Sequence, residues 1–346
     1  MQKNNTKSQV RVIALSVLYG MLFIESHKKP ANNPGKLVDL YNKGESGNMT
    51  RLGKNKKYWQ LYLLLIPALA YIVIFCYGPM YGIIIAFKDY KGKLGYLGSP
   101  WVGFKHFIRF LTYPDFWKMI RNTLSISLYS LLTFPCSIIL ALMLNEVKNM
   151  AFKKTVQMIT YAPYFLSTVV VCSIVLLMVG RNGPIGVLYQ AITGESKNLM
   201  AEPSYFNHIY VWSGVWKSVG WGTVIYMAAL SGVPSELVEA ARLDGANRLQ
   251  VIWNINIPYI LPTIVIMFIM NTGSILSVGF EKIFLLQNDL NLDVSNVIST
   301  YTYQIGLQGG QLSYSTAIGL FNNVVNIIMI FISNTLCKKA SGIGIW

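Results

Sequence analysis

Six apolar runs, each long enough to cross a bilayer, set what this chain can fold into. They are Tyr58 to Phe87, Asn122 to Leu144, Val156 to Val179, Tyr210 to Leu230, Pro258 to Phe280 and Thr316 to Leu336. A spanning helix needs about 20 such residues. A closed antiparallel barrel would instead show alternating segments of about ten residues. These runs are continuous, so the expected class is an all-α polytopic membrane protein with six transmembrane helices. Composition agrees: 53% of the residues are hydrophobic and 12% are charged. A soluble domain carries about 25% charged residues, and one this apolar would expose large sticky patches.

The N-terminal part reads differently. Residues 1–57 hold 11 of the 29 Lys and Arg, against three acids, Glu25, Asp39 and Glu45. The net charge of +15 therefore reflects a basic tail facing the cytoplasm and anionic lipid. No nucleic-acid motif accompanies it. Within the tail, Val12 to Ile24 is too short to span and follows Lys3, Lys7 and Arg11, as in a signal peptide without a clear cleavage site. Met49 offers a second plausible start. Residues 1–48 thus read as a start-site extension, or as a flexible or interfacial tail. The expected organisation is a tail (1–57), a six-helix domain (58–337) with a polar loop at 231–257, and a short C-terminal tail (338–346).

Six spans place both termini on one side. With the termini inside, 18 Lys and Arg lie inside and 11 outside. Without the tail the balance is seven to 11, so charge alone orients the chain weakly.

The catalytic and motive groups that are missing are as informative. Proton-coupled carriers place Asp, Glu or His on the path through the membrane, and here the spans hold none away from their borders. Lys217, in VWSGVWKSVGW, is the one charge well inside a run. It reads as a lysine snorkelling between Trp216 and Trp221, or as part of a substrate path. Each Gly-Lys pair is followed by Asn or Leu, never by Ser or Thr, so no phosphate-cradling GxxxxGK[ST] loop is present. The four cysteines, Cys76, Cys136, Cys172 and Cys337, are unpaired in spacing and lie in or at the end of apolar runs. They read as small apolar residues. The three scattered histidines suggest no metal site.

One polar segment interrupts the second half: EAARLDGANRLQVIWNINIP, Glu239 to Pro258. Ser235 is placed to cap a short helix from Glu236 to Asp244, with Glu236 and Glu239 favourable to its dipole. Gly245 is placed to end that helix in a left-handed conformation. A second short helix, Asn247 to Asn254, would follow, and Pro258 would open the fifth span. Asp244 and Arg242 are near enough for a local ion pair. Physically this is a short exposed helix pair joined to a transmembrane helix. It suits docking of a soluble partner, and equally an ordinary interfacial loop.

The order Glu239-Ala240-Ala241, three residues, Gly245, nine residues, Ile255-Asn256-Ile257-Pro258 resembles the EAA motif of ABC importer permeases. It departs only in Ile257, where Leu is usual. Flanking stretches, among them YGPMYGIIIAFKDYKGKLGYLGSPWVGFKHF, VISTYTYQIGLQ and the C-terminal GIGIW, resemble the carbohydrate-type permeases, in the polysaccharide and lipoprotein-associated subgroup. The resemblance covers about residues 58–346. It implies a type I permease fold and a non-catalytic subunit without a cofactor, ATP and Mg²⁺ being used by a partner ATPase. It implies that Glu239, Ala240, Ala241, Arg242, Asp244, Gly245, Ile255 and Pro258 couple to that ATPase on the cytoplasmic side, so both termini are cytoplasmic. The implied partners are a second permease, an ATPase dimer, an extracellular lipid-anchored binding protein and membrane lipid.

Candidates for a substrate path are Asn271, Thr272 and Ser274 in the fifth run and Asn322, Asn323 and Asn326 in the sixth. The competing role is interhelical hydrogen bonding. Gly273 and Gly319 read as close-packing points. The motif does not distinguish a sugar from a peptide or amino acid. A membrane-embedded polysaccharide or lipid transferase would need a polar cluster at a membrane border, and a sensor or scaffold could keep the same dock.

Overall fold

The computed structural model describes residues 59–346. The basic tail, the Val12 to Ile24 run, the alternative start at Met49 and the first residue of the first run lie outside the described residues. The described residues form 16 α-helices joined by short 3₁₀ and π segments. Two compact units divide between Gly82 and Ile83.

Helix α1 (Trp59–Ile72) passes into a π turn (Val73–Tyr77) and a 3₁₀ stretch (Gly78–Phe87). Pro79 supplies no N–H to an α ladder there. The Gly- and aromatic-rich connection after it is not a plain loop. It carries α2 (Gly95–Gly98) and α3 (Lys105–Leu111). The second span is α4 (Phe116–Leu132) followed by α5 (Pro135–Glu146), with Pro135 opening the second piece.

The third run is divided. Helix α6 (Met150–Tyr161) ends in a 3₁₀ turn, Ala162–Phe165, and α7 (Thr168–Val179) starts afresh with Ser167 as its cap. The Ser167 hydroxyl accepts from the Val170 N–H at 3.3 Å. Pro163, which has no N–H, sits in the break. The span is therefore not Val156 to Val179 but Thr168–Thr193, extended by α8 (Pro184–Thr193) into residues that lie outside the expected apolar runs. Helix α6, with Lys153 and Lys154, stands apart from it.

The fourth span is α9 (Pro203–Leu230), longer than its apolar run and bent by 81° into α10 (Ser235–Leu243). Helix α11 (Arg248–Val251) leads through a π turn (Ile252–Asn256) into α12 (Ile257–Thr272). The fifth span is accordingly Arg248–Thr272, displaced toward the polar loop from the expected Pro258 to Phe280. Three short helices follow, α13 (Phe280–Leu286), α14 (Leu292–Ser295) and α15 (Ile298–Tyr303), before the last span, α16 (Leu312–Ser341). Among the described residues, five helical stretches are long and apolar enough to cross a membrane, and six with the bent α9–α10 pair.

Within residues 83–346 the interior forms three apolar clusters. One joins α4, α7, α9 and α13 around Ile126, Val171, Phe206 and Ile283. A second gathers Phe110, Met119, Ile298, Tyr314 and Ile318 from α3, α4, α15 and α16. The third locks α5, α9 and α12 through Ala141, Tyr226 and Ile260. Leu132 and Leu177 are among many large apolar side chains left exposed, which suits a chain solvated by lipid. Helix α9 is the central element. It lies against the end of α6 where Gly220 has no side chain, since a Cβ there would sit 2.1 Å from the Thr160 carbonyl oxygen.

Candidate functional site

Two features stand out, an exposed polar loop at one end of α12 and a hydroxyl-lined cavity at the other. The loop is built by local backbone chemistry. Helix α10 begins at Ser235 with Pro234 at the cap position, so Ser235 is its first residue and not its cap. The helix ends in a complete Schellman arrangement: the Gly245 N–H donates to the Arg242 carbonyl (3.1 Å) and the Ala246 N–H to the Ala241 carbonyl (2.9 Å). Gly245 has φ of +86°, the left-handed conformation expected of it. Asn247 then caps α11 reciprocally with Gln250. The Gln250 N–H donates to Asn247 Oδ1 (2.9 Å) and the Asn247 N–H to Gln250 Oε1 (2.7 Å). The expected separate helix to Asn254 does not end there. It continues through the π turn into the span, so loop and transmembrane helix are one body.

Of the motif residues, Glu239, Ala240, Arg242, Asp244, Gly245 and Pro258 are exposed, while Ala241 and Ile255 are half-buried. Arg242 pairs with Glu146 at the end of α5, at 3.8 Å, rather than with Asp244. Leu243 and Leu249 project from this polar surface, Leu243 being 89% exposed.

The cavity, of about 510 Å³, lies between α4, α5, α9 and the end of α12. Ser127, Ser130, Ser137, Ser218, Thr272 and Ser274 are in its wall, with Trp221 beside them. Asn271 also lines it, its Nδ2 donating to the Met267 carbonyl at 2.8 Å. The candidates of the fifth run therefore share one wall.

Those of the sixth run do not. Asn326 is buried and holds the turn after α12: its Oδ1 accepts from the Leu276 N–H (3.1 Å) and its Nδ2 donates to Ser277 Oγ (2.8 Å). Asn323 is exposed, and Asn322 is half-buried with an Oδ1 that takes no hydrogen bond among the described residues. Gly273 is a close-packing point, where a Cβ would meet Ile330 at 2.3 Å, whereas Gly319 faces open space.

The structure adds a residue that the apolar runs hide. Lys282, on α13, is in the cavity wall. Its Nζ donates to the Tyr210 carbonyl at 2.5 Å and stands 4.4 Å from the centre of the Tyr210 ring. Burial pushes its ammonium down to about 8. Lys217 is not free between two tryptophans. It donates to Thr168 Oγ1 at 3.1 Å, tying α9 to α7, and Trp221 stacks on Tyr164.

Loop, bent span and cavity define a multi-pass membrane protein with a solute-sized recess and an exposed polar loop continuous with one of its spans. Residues 133–339 match the family model of the binding-protein-dependent transport system inner membrane component. The chain is 44% identical over 288 residues to protein LplB of Bacillus subtilis, covering 83% of this chain and 91% of that one. It is equally similar, 44% over 288 residues, to the polygalacturonan/rhamnogalacturonan transport system permease protein YteP of the same organism, with 83% and 90% covered. A chain of a bacterial alginate ABC transporter crystallised with an alginate pentasaccharide-bound periplasmic protein superposes with a TM-score of 0.76 at 36% identity, over 85% of this chain and 99% of that one. The chain belongs to the family of inner membrane permease components of binding-protein-dependent ABC importers.

Proposed function

We propose that this chain is a permease subunit of an ATP-driven importer for a carbohydrate, most simply an oligosaccharide, handed over by an extracellular binding protein. One geometric observation carries the mechanism. The continuous span Arg248–Thr272 begins in the exposed loop and ends in the cavity wall at Asn271 and Thr272. Its 25 residues reach about 37 Å at 1.5 Å per residue. A push on the loop is thereby delivered to the cavity by one rigid body.

In this reading a partner ATPase dimer, which binds the ATP and Mg²⁺, grips Glu239 to Gly245. Leu243 and Leu249 enter its surface. ATP binding then moves α10 and α12 together and tips the cavity from one side of the membrane to the other. A bias of a few kcal/mol suffices for such a two-state change. A second, similar permease completes the path, with both termini cytoplasmic and the binding protein lipid-anchored. The cargo class is supported by the relatives. Two have names for polygalacturonan/rhamnogalacturonan and arabinooligosaccharide transport, and the solved neighbour imports alginate. Serine and threonine hydroxyls with one tryptophan in the cavity fit a sugar's hydroxyls and ring faces.

The test is ATP hydrolysis by the assembled complex, reconstituted with its binding protein, across a panel of oligosaccharides, peptides and amino acids. Stimulation by saccharides alone is expected. Stimulation by peptides or amino acids and by no saccharide would overturn the cargo class.

A further inference from the structure

Among the described residues lining the cavity, Lys282 carries the only charged side chain, and none of them is Asp or Glu. The ion pairs made by the described residues lie elsewhere, at Lys118–Asp293, Lys197–Glu195 and Arg242–Glu146. Lys282 is half-buried, and a cation withdrawn from water without a carboxylate beside it is costly to keep. Its neighbour in the chain, Glu281, is exposed and does not line the cavity.

The site around the ammonium is built. The Tyr210 carbonyl takes one of its protons and the Tyr210 ring stands beside it. Gly214 leaves room below it, since a Cβ there would lie 3.2 Å from Nζ. An ammonium has three donors, and the Tyr210 carbonyl uses one. Lys217 adds a second positive charge nearby and likewise makes no ion pair among the described residues. Hydroxyls and an indole serve a neutral sugar fully. A desolvated cation adds affinity only when the cargo brings an anion, and it penalises cargo that does not.

Resting on the saccharide-import reading of this cavity, we propose that the cargo is an acidic saccharide, a uronate-containing oligosaccharide, and that Lys282 is the cavity group that receives a carboxylate. The serine and threonine hydroxyls take the sugar hydroxyls around it. Lys217 contributes long-range attraction without contact.

The experiment compares uronate oligomers with their neutral methyl esters, which keep the same skeleton. Stimulated ATP hydrolysis is measured on the reconstituted complex with wild-type permease, Lys282→Gln and Lys282→Arg. The affinity of the binding protein for each saccharide is measured separately, and the loaded protein is used at saturation. The expected result is that Lys282→Gln loses at least about tenfold of the uronate stimulation, does not lower and can raise any ester stimulation, and that Lys282→Arg retains the uronate response. Equal loss with acid and ester would make Lys282 a clamp between α13 and α9 and overturn the proposal. Stimulation of the wild type only by neutral saccharides would also overturn it, while leaving carbohydrate import standing. Stimulation by no saccharide at all would defeat the import reading and this proposal together.

Discussion

Arg242 on the exposed helix α10 lies 3.8 Å from Glu146 at the end of α5, and Glu146 is only 15% exposed. The contact joins the loop to a second span besides the one it continues into. Partly exposed pairs contribute about 0.5–1 kcal/mol. Arg242→Ala and Glu146→Ala should each lower transport about two- to fivefold, and the double variant should be little worse than either. Uptake in vesicles, read as a double-mutant cycle, checks this. Additive losses would show that Arg242 acts on the ATPase and not on Glu146.

Gly245 gives a sharper contrast. Its φ of +86° is strained for any side chain, yet a Cβ there meets nothing within 4 Å. Asn tolerates this conformation, and a β-branched residue costs more than the ~1–2 kcal/mol general penalty. Gly245→Asn should keep the ATPase bound, while Gly245→Val should lose it, with the permease itself still folded. Co-purification of the ATPase with each variant is the measurement. Retention by the valine variant would refute the role of the turn.

The sequence showed the spans because lipid demands continuous apolar runs, and it showed the loop because its polar residues stand out between two of them. The break at Pro163–Ser167 stayed hidden, since apolar residues flank it on both sides and hydropathy cannot see a helix cap. The same averaging carried the fifth run past Thr272 to Phe280. Lys282 then read as a loop residue, although FEKIFLL folds as α13 and turns it into the cavity. The three asparagines of the sixth run look alike in sequence. Only packing separates Asn326, bonded across to the turn after α12, from exposed Asn323.

Asn326 should therefore behave as a structural residue. Alanine removes the acceptor of the Leu276 N–H and the donor to Ser277 Oγ. Leaving a buried N–H unpaired costs about 1–2 kcal/mol. Asn326→Asp keeps the acceptor and should recover part of the loss. Thermal unfolding of the detergent-solubilised complex reads both. Unchanged stability in the alanine variant, with altered saccharide response, would return Asn326 to the substrate path.

Gly220 tests the central helix. A Cβ 2.1 Å from the Thr160 carbonyl cannot be absorbed by side-chain motion, because the obstacle is backbone. Gly220→Ala should push α9 from α6 and destabilise by about 1–3 kcal/mol. Gly319→Ala, facing open space in α16, is the matched control and should be neutral. Expression and melting temperature of the two variants decide it.

The acidic-cargo reading also fixes a pH dependence. The Lys282 ammonium, pushed down to about 8 by burial, is flanked by Cys172, Lys217, Tyr210 and its chain neighbour Glu281. Burial is the main cause of the shift, and the positive charge of Lys217 opposes the ammonium as well. Because the value lies below that of a free lysine, the charged form predominates at neutral pH but is lost as pH rises through about 8. The ratio kcat/KM reports the free complex. For a uronate oligomer it should fall above pH 8, steepening toward roughly tenfold per pH unit. The neutral ester should show no such limb. Lys282→Arg should remove the limb for the acid as well, because a guanidinium stays charged. A limb common to acid, ester and arginine variant would assign it to the ATPase or the binding protein instead.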